Sequence, residues 1–192
     1  ALFSALLKDH GHSVDLFDAT YYQTDHGIDS DGTKAERLNV VPFSVSEKGI
    51  KMRETNWSDD IKVKVEDFQP DLIALSTTED MWLLGVRMLD EIREFITSHK
   101  TPVIVGGVFP TFAPELVIKH DLVDMVCLGE GENTMIDLCD RIEKGNSWDD
   151  VTNIWAKKKD GSLIKNPISN SFEINDTPII DIDLFEEQRL YR

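Results

Sequence analysis

The sequence predicts a doubly wound α/β fold, a parallel sheet between two layers of helices, followed by a small β-hairpin and an extended linker. Three observations predict it. Short apolar runs alternate with stretches of helical period through the first 146 residues. Two of those runs, Val103-Ile104-Val105 and Val123 to Leu128, stop at glycine turns, Gly106-Gly107 and Gly129-Glu130-Gly131-Glu132, and a helical pattern follows each turn. After Asn146 the pattern changes: Ile154 to Lys157 and Ser162 to Lys165 flank Asp160-Gly161, a hairpin-turn dipeptide.

The elements follow in order. Residues 2–9 place Leu2, Phe3, Leu6 and Leu7 on one helix face, with Gly11 as the stop. Val14 to Phe17 reads as a strand ending at Asp18, and His10 and His12 read as solvated turn residues beside it. Residues 19–57 are the least regular part, longer than a usual connection. Asp25, His26, Asp29, Asp31 and Gly32 invite a calcium loop, but with Gly32 at the sixth position the first and last ligands fall on Gly27 and Leu38, which cannot serve. Val40 to Phe43 is expected under the sheet edge. Residues 58–68 form the next helix, with Ser58 as N-cap, Asp59 and Asp60 in the first turn, and Ile61, Val65 and Phe68 inward. Asp71 to Leu75 reads as a clean buried strand ending in Ser76-Thr77-Thr78. Helices are expected over about 81–97, 112–119 and 134–144. Residues 1–146 then form the main domain, 147–170 a hairpin appendage, and 171–192, with Pro178 and scattered acids, a linker leading elsewhere. The chain opens on Ala1 directly into a helical pattern, so an innermost first strand is expected upstream.

Composition bounds the function. A formal net charge of −16 repels phosphate backbones and anionic membranes. No run approaches the roughly 20 apolar residues of a membrane span, and no signal peptide is visible. Cys127 and Cys139 are the only cysteines and sit within predicted elements, so they read as small buried hydrophobes in a cytoplasmic protein.

In open α/β sheets ligands bind at the carboxyl edge of the strands. Here that edge gathers the hydroxyls of Ser76, Thr77 and Thr78 and two glycine turns, where backbone can approach a bulky ligand. A dinucleotide fingerprint fails, because Gly129 and Gly131 are followed by Thr134 where a third glycine belongs. Glu130 and Glu132 put carboxylates where a phosphate needs donors. Hydroxyls, amides and bare backbone suit a ligand rich in neutral amides.

The block Val103 to Thr111, then Val123-Asp124, then Gly129-Glu130-Gly131-Glu132, resembles the cobalamin-binding domain of B12-dependent radical SAM proteins. The hairpin around Asp160-Gly161 with Asn166-Pro167, and Thr177-Pro178 through Leu184-Phe185, match as well. The resemblance implies a Rossmann-like domain holding cobalamin at its carboxyl edge through Ser76, Thr77, Thr78, Gly106, Gly107, Val108, Phe109, Pro110, Gly129, Glu130, Gly131 and Glu132. It implies a downstream barrel of the same polypeptide with a 4Fe-4S cluster and S-adenosylmethionine, and chemistry of methyl transfer in which cobalt accepts the methyl group. The chain itself has no Cys-x-x-x-Cys-x-x-Cys, so no catalytic residue or metal ligand is assigned to it. None of His10, His12, His26, His99 and His120 has Asp two residues before it, so none matches the Asp-x-His-x-x-Gly cobalt ligand of many cobalamin domains, a motif that the radical SAM relatives often lack. Two other readings compete. One is a non-catalytic scaffold of the same fold, with the edge collapsed or plugged by Phe109 or Trp82. The other is a phospho-acceptor receiver, which Asp18 invites but which lacks the lysine expected after the last strand, where Gly129 and Glu130 stand.

Overall fold

A computed structural model gives the structure and describes residues 1–24, 47, 49–158, 160–169, 173, 175 and 177–190. The calcium-type run 25–32 and the segment 40–43 lie outside the described residues. The first helix, α1 (Leu2–Asp9), has the predicted bounds, but it buries Ser4, Ala5, Leu6 and Leu7, while Phe3 is 42% exposed. Helix α2 (Trp57–Phe68) begins earlier than predicted: the cap is Asn56, whose side chain accepts from the Ser58 amide at 2.8 Å, and Ser58 instead donates to Glu91. Ile61 is buried, whereas Phe68, at the helix end, is 39% exposed.

The sheet has five strands in sequence order: β1 (Ile73–Ser76), β2 (Val103–Gly106), β3 (Met125–Cys127), β4 (Ile154–Lys157) and β5 (Leu163–Lys165). β1, β2 and β3 are parallel, with Ile73 beside Val103, Ser76 beside Gly106 and Ile104 beside Met125. The hairpin is not set apart from them. β4 pairs antiparallel with β3, placing Cys127 opposite Ile154, so the hairpin completes the same sheet.

The helix expected over 81–97 is two, α3 (Trp82–Glu91) and α4 (Arg93–His99), interrupted at Ile92, whose backbone (φ −103, ψ 15) leaves the helical well. The helix expected over 112–119 is also two short ones, α5 (Val108–Phe112) and α6 (Pro114–Val117), because the residue before a proline disfavours the helical region and Ala113 sits at φ −131, ψ 48. The last long helix is α7 (Glu132–Glu143), which starts two residues before the predicted 134.

Alternation along the strands sorts the core into two layers. Val103, Val105 and Val126 pack with Ile61, Leu89, Ile96 and Val117 under α2, α3, α4 and α6. Ile104, Met125, Cys127, Ile154 and Ala156 face the other way, against Leu7 of α1 and Met135 and Leu138 of α7. This is the doubly wound, Rossmann-like arrangement. At the amino end of β2 the Asp124 carboxylate accepts from the Val103 amide at 2.9 Å, and the Lys157 amide donates to the Asp124 carbonyl at 2.9 Å. Burial raises the pKa of Asp124, against the Val103 bond and the nearby Lys157 charge; burial lowers that of Lys157.

Two predicted features differ. Val14 to Phe17, predicted as a strand, forms none and has no ladder partner among the described residues. A groove of about 200 Å³, lined by Leu16, Phe17, Leu72, Ile73 and Leu75 among others, lies between this segment and β1. For the same reason β1 is not buried on both sides: with β2 on one edge only, Ile73 and Leu75 are half-buried and Ala74 and Ser76 exposed. The described part of the tail touches the domain. Asp181 accepts from the Ser4 hydroxyl and from Lys8 Nζ at 2.7 Å, Arg53 pairs with Glu186 at 2.6 Å, and Arg189 of α8 (Glu187–Leu190) pairs with Asp18. Among the described residues no helix is long and apolar enough to cross a membrane.

Leu138 is fully buried under α7. Leu138→Ala should lower the unfolding free energy by about 2–5 kcal/mol. Leu83→Ala, on a residue 59% exposed, should change it by less than about 0.5 kcal/mol. Urea titration reads both, and equal effects would contradict this assignment of the core.

Candidate functional site

Because β1, β2 and β3 are parallel, Ser76, Gly106 and Cys127 all end at one edge. The loops leaving these strands are tied to one another by backbone. The Thr77 amide donates to the Gly106 carbonyl at 3.0 Å, continuing the ladder one residue past the strand. Gly107 follows at φ 109, a conformation L side chains rarely adopt. A Cβ there would lie 2.7 Å from the Thr77 carbonyl oxygen and 3.1 Å from its nitrogen, so only glycine lets the two loops meet. At Gly106 the nearest atom to such a Cβ would be Cys127 Cβ, at an ordinary 3.6 Å.

Thr111 joins the second loop to the third. Its hydroxyl donates to the Gly107 carbonyl at 2.8 Å and accepts from the Gly129 amide at 3.1 Å. Asn153, 3% exposed and in the left-handed region at φ 66, holds the third loop from below. Its side-chain NH₂ donates to the Glu130 carbonyl at 2.7 Å, its side-chain oxygen accepts from the Ser169 amide at 2.6 Å, and its carbonyl accepts from the Leu128 amide at 2.9 Å. Phe3 of α1 lies over Gly131, where an added Cβ would sit 3.0 Å from the ring.

The predicted site residues divide accordingly. Ser76, Thr78, Gly107, Val108, Gly129 and Glu130 are brought to one exposed shelf, and Gly106 is half-buried behind it. Thr77 is turned inward, 5% exposed, with its hydroxyl donating to the Thr78 carbonyl at 2.9 Å. Pro110 is buried, and Phe109 packs on Trp82 (ring centroids 5.8 Å apart) and on the core, so these two support the loop from beneath. Gly131 is buried, and Glu132 is half-buried at the start of α7. Sequence reasoning missed Phe3, Thr111 and Asn153. Thr111 was recoverable as the hydroxyl four residues after Gly107, a spacing that lets threonine bond a carbonyl one turn back. Nothing in the local sequence marks Asn153.

The chemistry of the shelf fits a large amide-rich ligand such as a corrinoid. It offers a hydroxyl at Ser76, an acceptor at Thr78, whose hydroxyl donates to Asp80, bare backbone at Gly107 and Gly129, and apolar surface at Val108 and Phe112, which are 63% and 84% exposed. A cavity of about 460 Å³, lined by Asp18, Tyr22, Arg53 and Asp60 among others, lies beside α2 and not over the glycine turns. Each described histidine is engaged elsewhere: His10 with the Leu6 carbonyl, His12 with Asp140 at 3.0 Å, His99 with the Phe95 carbonyl and His120 with the Leu122 amide. His26 lies outside the described residues. His12, expected to be solvated, is half-buried in that hydrogen bond. His12, Asp140 and Glu143 come within 4.8 Å of one another, but Lys144 already holds the second Asp140 oxygen at 2.8 Å.

Comparison with known proteins places this geometry in a family. The family model of the B12 binding domain matches residues 1–138. The chain is 30% identical over 128 residues to 4'-phospho-dehydrooxetanocin synthase of Priestia megaterium, covering 66% of this chain and 17% of that protein. It is 24% identical over 162 residues to cytidylyl-2-hydroxyethylphosphonate methyltransferase of Streptomyces wedmorensis, covering 83% and 27%. Among solved structures it is similar to the cobalamin-dependent S-adenosylmethionine radical enzyme OxsB with aqua-cobalamin and S-adenosylmethionine bound, with a TM-score of 0.52 and 28% identity over 59% of this chain and 16% of that one. The chain therefore spans about a quarter or less of the length of these relatives.

Two outcomes test the site's construction. Gly107→Ala forces the Thr77 loop to shift and should cost about 1–3 kcal/mol in urea unfolding, whereas Gly106→Ala should cost clearly less; the reverse order would contradict the loop contact. Burial pushes the Cys127 and Cys139 thiols up to about 11, with the charges of Glu132 and Asp140 adding to it. At pH 8 both should therefore be nearly silent to a disulfide-exchange reagent in the folded chain and react fully once denatured.

Proposed function

The chain belongs to the B12 binding domain family, and from that premise we propose that it is the cobalamin-binding module of a larger radical S-adenosylmethionine enzyme of methyltransferase type. The observation that carries the proposal is the tied carboxyl edge. Three strand-end loops, locked by Thr77 to Gly106 and by Thr111 to Gly107 and Gly129, leave hydroxyls and glycine backbone facing outward together. Such an edge orients a macrocycle through many neutral hydrogen bonds without a charged clamp.

When bound, the corrinoid supplies a cobalt centre able to carry a methyl group, and the chain's own residues bind and orient it. Ser76 and Thr78 would meet its polar rim, the bare Gly107 and Gly129 backbone would let it approach closely, and Val108 and Phe112 would cover apolar surface. No side chain of the shelf is assigned a proton-transfer role. A cluster and S-adenosylmethionine site belongs to a downstream barrel of the same polypeptide, since the two cysteines of this chain cannot hold one. The likeness to OxsB and to the Streptomyces methyltransferase supports both parts of this reading. The net charge of −16 weighs against nucleic acid or an anionic membrane as partner.

The test is reconstitution. The 192-residue chain, incubated with hydroxocobalamin and desalted, should retain corrinoid in stoichiometric amount by its visible absorbance. Gly107→Val should lose it and Glu94→Ala, an exposed change on α4, should keep it, with circular dichroism confirming that both remain folded. Absence of retention by the unmodified chain would sink the proposal and leave a scaffold of the same fold.

A further inference from the structure

The corner where α1 ends against α7 gathers three metal-ligating side chains that the shelf does not use. His12, Asp140 and Glu143 each bring one ligand atom, and these atoms all lie within 4.8 Å of one another. One imidazole nitrogen with two carboxylate oxygens is a donor set for a borderline transition ion such as Zn²⁺. It suits calcium and magnesium poorly, because they take oxygen ligands.

Rigid elements build this geometry. Asp140 and Glu143 stand three residues apart on α7 and so share a face. His12 is placed by the end of α1. Gly11, at φ 89, turns the chain, the Gly11 amide donates to the Lys8 carbonyl at 3.0 Å, and the His12 amide donates to the Leu7 carbonyl at 3.0 Å. This is a Schellman closure, with glycine at its left-handed position. It holds the imidazole against α7, half-buried, with Nε2 3.0 Å from Asp140 Oδ1. Ligand atoms around a tetrahedral zinc ion sit about 3.3 Å apart. His12 and Asp140 therefore already stand near ligand spacing, and the exposed Glu143 closes the remainder by rotation.

The corner is also negative. Asp140, by hydrogen bond and by charge, and then the charges of Glu143 and Asp137 raise the pKa of Lys144 against desolvation. Lys144 is the cation drawn there now, but it holds Asp140 through the other oxygen, Oδ2, at 2.8 Å. Its side chain is 58% exposed on a flexible stem and is free to swing away.

We propose that His12, Asp140 and Glu143 form a zinc-type metal site that staples α1 to α7. Both helices start at the shelf, where Phe3 lies over Gly131, so the staple closes the pair at the opposite end. The ion takes the place of the proton that now bridges Nε2 and Oδ1. That proton leaves to solvent, and water completes the coordination. The site is structural and does not depend on the corrinoid reading.

The experiment uses the 192-residue chain, stripped with a chelator and titrated with zinc chloride against a chromophoric zinc indicator. Urea unfolding with and without zinc runs alongside. The chain should bind zinc in stoichiometric amount, and its unfolding midpoint should rise with zinc concentration. His12→Ala and, separately, Glu143→Gln should each weaken binding about tenfold or more. Lys144→Ala, which frees Asp140, should tighten it severalfold, and His10→Ala should leave it unchanged. Glu143→Gln alters an exposed side chain, so it decides the assignment even where His12→Ala fails to fold. Zinc binding that survives both variants would belong to the acidic surface at large and would overturn the proposal. A chain that binds no zinc in stoichiometric amount, or whose unfolding midpoint zinc does not move, would overturn it as well.

Discussion

The contact between Gly107 and the Thr77 backbone is the constraint on which the rest of the edge depends. Two parallel strands ordinarily release independent loops. Here the ladder runs one residue beyond the sheet, through Thr77 to Gly106, and the left-handed turn at Gly107 lets the next carbonyl and amide pass without a side chain between them. Once that turn is set, its carbonyl points to Thr111, and the Thr111 hydroxyl in turn fixes Gly129. Glycine is thus required here by backbone meeting backbone inside the protein, not only by room for a ligand. The outer face of the same turn is left bare as a by-product, and that bare face is what a bulky partner can approach.

Much of this was legible in the sequence. The alternation of apolar runs and helical stretches predicted the sandwich, and the glycine turns after Val105 and Leu128 marked the functional edge. Runs that are apolar throughout, such as Val103 to Val105, signal burial on both faces, and those residues are indeed fully buried. What failed were inferences that need a neighbour. Val14 to Phe17 and Asp71 to Leu75 have the composition of central strands, but composition cannot report whether a partner lies alongside, and among the described residues the first has none while the second has one. The hairpin looked independent because Asp160-Gly161 is a local signal, whereas its pairing with β3 is a long-range one. Thr77, Phe109 and Pro110 matched the site by position, and the structure turns them into its supports. Asn153 shows the same limit from the other side: three of its groups serve three separate segments, and nothing local announces that.

Charge acts differently at the surface and within the edge. The ion pairs that draw the tail onto the domain are mostly exposed, so each adds little alone. Arg93 pulls Asp121 down to about 2, and hydrogen bonds from Thr20 and Arg189 outweigh burial to lower Asp18. These carboxylates have depressed folded-state values. Their contribution is present above the ordinary carboxylate range and is lost as pH falls through it toward 2. Acid therefore loosens the tail and the α4 surface first, while the neutral hydrogen bonds among Thr77, Gly107, Thr111 and Gly129 do not titrate.

The one-sided pairing of β1 carries a mechanical consequence. Among the described residues β2 and β3 have neighbours on both sides and buried side chains, whereas β1 has one neighbour and a groove. Local opening free energy follows such differences in burial and pairing, so the sheet is graded, firm toward the hairpin and loose toward β1. The Gly107 turn sits on the step of that gradient, rooted in the firm strand and leaning on the loose one. A large ligand resting on the shelf would span both sides of that step.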